Sequence, residues 1–217
     1  FGMGYNTACL LEETIINSIV LYWWGLEIDK RPITISLQNS NFRSSWSSSV
    51  IKLLDSINEF GSWEDMSSKG KILWGDARQK IAAIPQSIKF DIIFHDAFSP
   101  QSCPELWSDE FLKKLAQRLA PNGRLVTYCS AAAIRKSLKE SGLTLHSLKP
   151  IKAQQGKWSN GTIAINQLSD IKQLETKNTS IPLSAMEEEH LLTSAAIPYR
   201  DPTGKSSSKE ILIKRKK

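Results

Sequence analysis

Cysteine is scarce in this chain: Cys9, Cys103 and Cys129 are the three among 217 residues, and their scatter forms neither a disulfide framework nor a CxxC metal site. That usage predicts a reducing, cytoplasmic setting. Long apolar runs are lacking too. Stretches such as Ser18 to Leu26 fall far short of the roughly 20 residues that cross a bilayer, and no basic stub precedes an apolar stretch with a small-residue cleavage site. Neither a membrane nor an export route is expected. No GxxxxGK lysine is present, and no cluster of metal-ligating side chains, so phosphate-loop and metal chemistry are not expected either.

What the sequence has is an ordinary globular composition, 41% hydrophobic and 23% charged, in a length that suits one core burying roughly 70% of the unfolded surface. Charge is unevenly spread. Residues 1 to 100 carry 9 basic and 11 acidic groups, a net of −2, whereas residues 101 to 217 carry 19 basic and 11 acidic, a net of +8. Such asymmetry suits a polyanionic partner, and a solvated basic surface with a basic tail would look the same. Arg135, Lys136 and Lys139, on one predicted helix, are the candidate phosphate grips, with Lys152, Lys157 and Arg200 as additions.

Apolar spacing predicts an alternation of strands and helices from Asn6 to Asn166. The helices are Asn6 to Val20, Val50 to Phe60, Ala77 to Ile84, Pro104 to Leu119 and Ala131 to Ser141. The strands are Leu21 to Ile28, Lys71 to Trp74, Lys89 to His95, Arg124 to Cys129, Leu143 to Leu148 and Gly161 to Asn166. Arg31 to Ser49 reads as a short helix and a loop, and Pro121-Asn122-Gly123 as a turn. The pattern implies an α/β fold: a mostly parallel sheet with helices on both faces and one antiparallel pair at its edge. Phe1-Gly2-Met3-Gly4-Tyr5-Asn6 reads as the turn after a strand that is not in the chain, so the first strand of the fold is expected to be missing. The expected domain is residues 1 to 166, followed by an arm from 167 to 217 with a short helix over 184 to 193 and a basic tail.

Three consecutive strand ends carry chemistry suited to a nucleoside cofactor. Gly2 and Gly4 let backbone approach a ligand closely, although Thr7 stands where a dinucleotide fingerprint has its third glycine. Glu27, some twenty residues further on, is placed to accept two ribose hydroxyls. In Gly75-Asp76-Ala77 an acid with free N–H groups beside it suits adenine, and the same Asp76 suits a helix N-cap. The next strand end, His95-Asp96-Ala97-Phe98-Ser99-Pro100, puts Asp96 where ligands bind in open α/β sheets. His95 suits local packing there, and Phe98, Pro100 and Trp107 suit a wall against a flat base, a core position for Trp107 being the alternative.

The stretch Phe90 to Ser130 contains Asp-Ala-Phe-Ser-Pro, Pro-Glu-Leu-Trp, Leu-Ala-x-x-Leu-Ala-Pro-Asn-Gly and Thr-Tyr-Cys-Ser-Ala. It strongly resembles the methyltransferase domain of the bifunctional enzyme that makes 5-methylaminomethyl-2-thiouridine at the tRNA wobble position, and its stand-alone relatives. The resemblance covers residues 1 to about 166, and Pro198 to Pro202, with Tyr199 and Arg200, resembles a C-terminal block of the stand-alone members. It implies a class I, Rossmann-like fold using S-adenosyl-L-methionine, with no metal and no FAD, since nothing resembles the fused flavin domain. Phe1, Gly2, Gly4 and Asn6 match the family's cofactor loop, Glu27 the ribose acid, Asp76 with Ala77 the adenine side, and Asp96 the aspartate near the methyl donor and the substrate amine. The partner so implied is the tRNA anticodon stem-loop, and the product the methylated amine of 5-aminomethyl-(2-thio)uridine. A small-molecule N-methyltransferase or aminopropyltransferase-like enzyme, and a non-catalytic RNA-binding protein, are the alternatives.

Overall fold

The computed structural model describes residues 1–65, 67–149, 161–167 and 179–215. Two compact units, Phe1–Ile84 and Pro85–Lys217, divide the chain, a boundary different from the expected one at residue 166.

In the first unit, α1 (Tyr5–Ile16) follows the glycine turn, then β1 (Tyr22–Glu27), α2 (Arg31–Gln38), α3 (Ser40–Ser44) and α4 (Ser48–Phe60). β2 (Ser62–Asp65), β3 (Ser68–Trp74), α5 (Ala77–Lys80) and a 3-10 turn, Ile81–Ala83, complete it. α4 starts where the Ser47 hydroxyl accepts from the Val50 N–H and stops at Gly61, whose φ of 73° lets the chain leave the helix. Its Val50, Leu54 and Ile57 are buried with Ala8 and Leu11 of α1 and Ile33 of α2 over Ile72 of β3. β1 and β3 pair in parallel, from Tyr22 opposite Lys69 to Glu27 opposite Trp74. β2 returns antiparallel against β3, a hairpin not expected from its polar residues. Trp63 makes the hairpin work: its indole covers Gly70, where a Cβ would stand 2.1 Å from the Trp63 Nε1.

The second unit holds β4 (Phe90–Phe94), a 3-10 turn Pro104–Trp107, α6 (Asp109–Ala116), β5 (Leu119–Thr127), α7 (Ala132–Glu140), β6 (Thr144–Leu148) and β7 (Thr162–Ile165). Beyond them come β8 (Ser180–Pro182), α8 (Ala185–His190) and α9 (Ser208–Arg215). The sheet order is β4-β5-β7-β6-β8. β4 and β5 are parallel, and β7 enters antiparallel between β5 and β6, so the expected antiparallel pair is not the edge; β8 is.

Three further expectations are corrected. The helix predicted from Pro104 to Leu119 is broken at Ser108, which is extended (φ −65°, ψ 146°), bridges to Tyr199 and caps α6 by accepting from the Phe111 N–H. Pro121-Asn122-Gly123 lies inside β5, where Asn122 has φ 62° and the pairing with β4 slips between Phe90 and Ile92. A turn-like tripeptide here makes a bulge rather than ending the strand. The expected arm meets the sheet at its edge, where β8 pairs with β6, and α9 beyond it buries Ile211 completely. α9 begins at Ser207, whose hydroxyl and N–H both bond to the Glu210 carboxylate, against the expectation of a plain basic tail. Among the described residues, no helix is long and apolar enough to cross a membrane.

Candidate functional site

In the first unit, Gly4 has φ 88° and precedes α1, and Gly2 has φ 60°. A side chain at Gly4 would meet Ile33 Cδ1 at 2.7 Å, whereas the space beside Gly2 is open. The Gly2 N–H donates to Glu27 Oε2 (2.8 Å), and the N–H groups of Ile28 and Asp29 donate to Oε1 at 2.7 and 3.0 Å. Burial alone would raise the Glu27 carboxyl, but the N–H groups of Asp29, Gly2 and Ile28 hold it below its ordinary value. Phe1 turns its ring onto Trp23 and Trp74, with centroids at 5.7 and 6.5 Å. Asn6 and Ala77 sit in the first turns of α1 and α5.

The Gly75 N–H donates to the Glu27 carbonyl (2.7 Å), so the ends of β1 and β3 lie side by side. Asp76 then caps α5 by accepting from the Arg78 N–H (2.9 Å) and holds the Arg78 guanidinium, Nη2 to Oδ2 at 2.7 Å. Gly2, Glu27 and Asp76 thus gather at one end of this sheet. An ionised carboxylate, aimed by three N–H groups beside an open glycine, fits a ligand offering a pair of hydroxyls. Asp76 fits less simply, because it is both cap and ion-pair partner.

In the second unit, Asp96 is exposed just beyond β4. His95 before it is buried, its ring 4.4 Å from that of Trp107, and Nε2 donates to the Leu106 carbonyl (3.0 Å). Burial pushes the His95 imidazole down to about 4, outweighing the Leu106 carbonyl and Asp96 that favour its cation, so it is neutral at pH 7 and packs. Phe98 is 82% exposed and Pro100 half-buried. Trp107 is fully buried and donates its indole N–H to the Phe98 carbonyl (2.6 Å), so it supports the loop instead of presenting a face to a base.

The expected cation cluster is dispersed. Arg135, 2% exposed, points inward, where its guanidinium meets Thr162 Oγ1 (2.9 Å), Glu187 Oε1 (2.8 Å), Ser147 Oγ (2.9 Å) and the Gly161 carbonyl (3.2 Å). A phosphate has no access to it. Lys136 is half-buried, Lys139 pairs with Glu188 and Arg200 with Glu110. Tyr199 is buried, takes the Arg215 guanidinium over its ring at 4.5 Å and accepts from Gln101 Nε2 (3.3 Å), so it too is a packing residue. Lys152 and Lys157 lie outside the described residues. Sequence reasoning missed Glu187, though the Ser184-x-x-Glu187 capping box advertised an ordered helix start, and it missed Tyr128, considered below. Among the described residues, no group of three or more His, Cys, Asp or Glu is placed to hold a metal ion.

The family model for S-adenosyl-L-methionine-dependent methyltransferases matches residues 44–162, more than half of the chain, and the chain belongs to that family. S-adenosyl-L-methionine is therefore the cofactor. Over 132 residues the chain is 31% identical to an uncharacterized protein of Methanocaldococcus jannaschii, covering 59% of this chain and 33% of that one. The crystal structure of MnmC2 from Aquifex aeolicus aligns over 99% of this chain and 64% of its own, at a TM-score of 0.75 and 28% identity. The chain thus spans about a third of the curated relative and under two thirds of the solved one.

Removing Asp76 is expected to weaken S-adenosyl-L-methionine binding by roughly 1–3 kcal/mol, the usual cost of losing a directed acceptor in a partly buried cleft. Calorimetric titration of Asp76→Ala, with its unfolding measured in parallel to account for the lost α5 cap, checks this. Unchanged affinity in a folded variant removes Asp76 from the cofactor site.

Proposed function

We propose that the protein methylates the amine of 5-aminomethyl-(2-thio)uridine at the tRNA wobble position. The observation that carries this reading is the Phe90 to Ser130 block, with Asp96 at its strand end, in a chain alignable almost throughout with MnmC2. When bound, S-adenosyl-L-methionine supplies an electrophilic methyl on a sulfonium centre. The open space beside Gly2 would leave room for it, Glu27 would hold its ribose and Asp76 would serve its adenine side, while Gly4 gives the turn the close packing on Ile33 that it needs. The aminomethyl group is mostly protonated in water, whereas only its neutral lone pair attacks. Asp96 would accept that proton, or hold the amine after its loss to water, so that the nitrogen is presented with its lone pair free. Phe98 and Pro100 border the base. Nucleoside mass spectrometry of tRNA carrying the aminomethyl intermediate, incubated with protein and labelled methyl donor, is the direct test. Labelled 5-methylaminomethyl nucleoside supports the reading, and its absence under conditions where the cofactor binds overturns it.

With Arg135 internal and Lys139 and Arg200 already ion-paired, a small-amine substrate on the same scaffold stands as the second reading. Salt separates the two. If the basic half grips tRNA, the logarithm of the binding constant falls by roughly 0.7 to 0.9 per phosphate contacted for each tenfold rise in salt, while cofactor affinity barely moves. Neutralising Lys136 and Lys139 together is expected to flatten that slope. A zero slope in the wild type favours the small amine; a steep slope unchanged in the double variant moves the tRNA face elsewhere.

A further inference from the structure

Tyr128 follows the last residue of β5, at the strand end that lies beside the end of β4. It is 47% exposed, yet it is fixed at two points. Its hydroxyl donates to the Ala97 carbonyl (2.9 Å), and its ring stands perpendicular to the buried Trp107, with centroids 6.0 Å apart. Trp107 in turn holds the next carbonyl, that of Phe98. Two aromatic side chains from different elements therefore clamp the two consecutive carbonyls that follow Asp96. Burial, foremost, and then the charges of Cys129, Asp96 and Cys103 raise the Tyr128 phenol, so it stays protonated and keeps donating at neutral pH.

An exposed aromatic ring that costs nothing further to order is a low-entropy platform for a planar group. Its hydroxyl bonds to the residue next to Asp96, and the exposed Phe98 ring follows one residue later, so the flat part of an amine substrate has two rings to meet. We propose that Tyr128 is a substrate-positioning residue: its ring stacks on the pyrimidine whose aminomethyl nitrogen Asp96 receives, and its hydroxyl fixes the Ala97 carbonyl that orients Asp96. This rests on the function proposed above and adds the base-stacking contact that Trp107, being buried, does not provide.

The test compares Tyr128→Leu, Tyr128→Phe and Tyr128→Trp with wild type, measuring kcat and KM on anticodon stem-loop RNA bearing 5-aminomethyluridine, and on the free nucleoside. Calorimetric affinity for S-adenosyl-L-methionine is measured on the same preparations. Loss of stacking on one base predicts a KM roughly 5- to 150-fold higher for the leucine variant, with cofactor affinity within twofold. The phenylalanine and tryptophan variants, which keep a flat ring, are expected to hold KM within about threefold while kcat falls, because the Ala97 carbonyl has lost its donor. A leucine variant with wild-type KM overturns the stacking role, and a phenylalanine variant whose KM rises as far as leucine's overturns it by assigning the effect to the hydroxyl. A wild type that methylates neither RNA nor nucleoside overturns the function itself and this inference with it. One that methylates only the nucleoside overturns the tRNA reading, and the same KM comparison on that substrate still decides the role of Tyr128.

Discussion

Glu187→Leu is expected to destabilise the protein by about 3–5 kcal/mol, the range for breaking a buried ion pair, because Arg135 would stay buried without its counter-charge. Burial pushes the Glu187 carboxyl up, but donors from Ser147, Ser184 and Arg135 prevail and bring it down to about 2 from an ordinary 4.5. A depressed carboxylate stabilises the fold fully above its unfolded value and loses that contribution as pH falls through the folded one. The gap corresponds to about 3 kcal/mol, of the same order as the mutational figure. Urea unfolding should thus show a constant difference between wild type and variant above about pH 5, shrinking toward pH 2. A difference independent of pH would show that shape, not charge, is what Glu187 supplies. Replacing both partners, as Arg135→Met with Glu187→Leu, should recover most of the loss, since no ion is then left unpaired.

Asp96→Asn is the second large effect. The amide keeps size and shape but loses charge and basicity, and single-turnover methylation is expected to fall by roughly 100-fold or more, the scale of general-base catalysis. Cofactor affinity, which the proposed function assigns to Gly2, Glu27 and Asp76, should stay within a few-fold. If Asp96 manages the amine proton, raising the pH should restore part of the rate by supplying neutral amine from solution. A variant with the wild-type single-turnover rate at neutral pH would reduce Asp96 to a strand-end residue.

Strand ends were the most legible part of the sequence. Glu27, Asp76 and Asp96 each close an apolar run, and an acid in that position reads the same whichever strand lies beside it. α4 was legible because its apolar residues recur at helical spacing and α7 because Gly142 follows it, whereas α1 was read too long: it ends at Ile16, and Ile15, Ile16 and Ile19 are exposed. The β2–β3 hairpin was not: Ser62–Asp65 buries only Trp63, and its pairing depends on Gly70 making room for that indole. β8 and α9 were missed for a related reason, since each is a short polar segment whose place is set by partners far away in sequence.

Side-chain burial was harder still to read. Arg135 sits among Ala132, Ala133, Ile134 and Leu138, all buried, so α7 has little polar face for it to occupy. A basic residue is nonetheless read as exposed by default, because burial of arginine requires a partner, and that partner comes from a helix the sequence does not place nearby. Trp107 and Tyr199 show the same limit for aromatics: composition gives a flat ring, and only the surrounding elements decide whether it faces a ligand or the core.

The distance in sequence between Arg135 and Glu187 is 52 residues. A ribosome adding roughly 5 to 20 residues each second therefore takes on the order of 3 to 10 s to deliver the carboxylate after the guanidinium. Through that interval the Arg135 guanidinium can meet Thr162, Ser147 and the Gly161 carbonyl as they are made, but its counter-charge arrives only with α8.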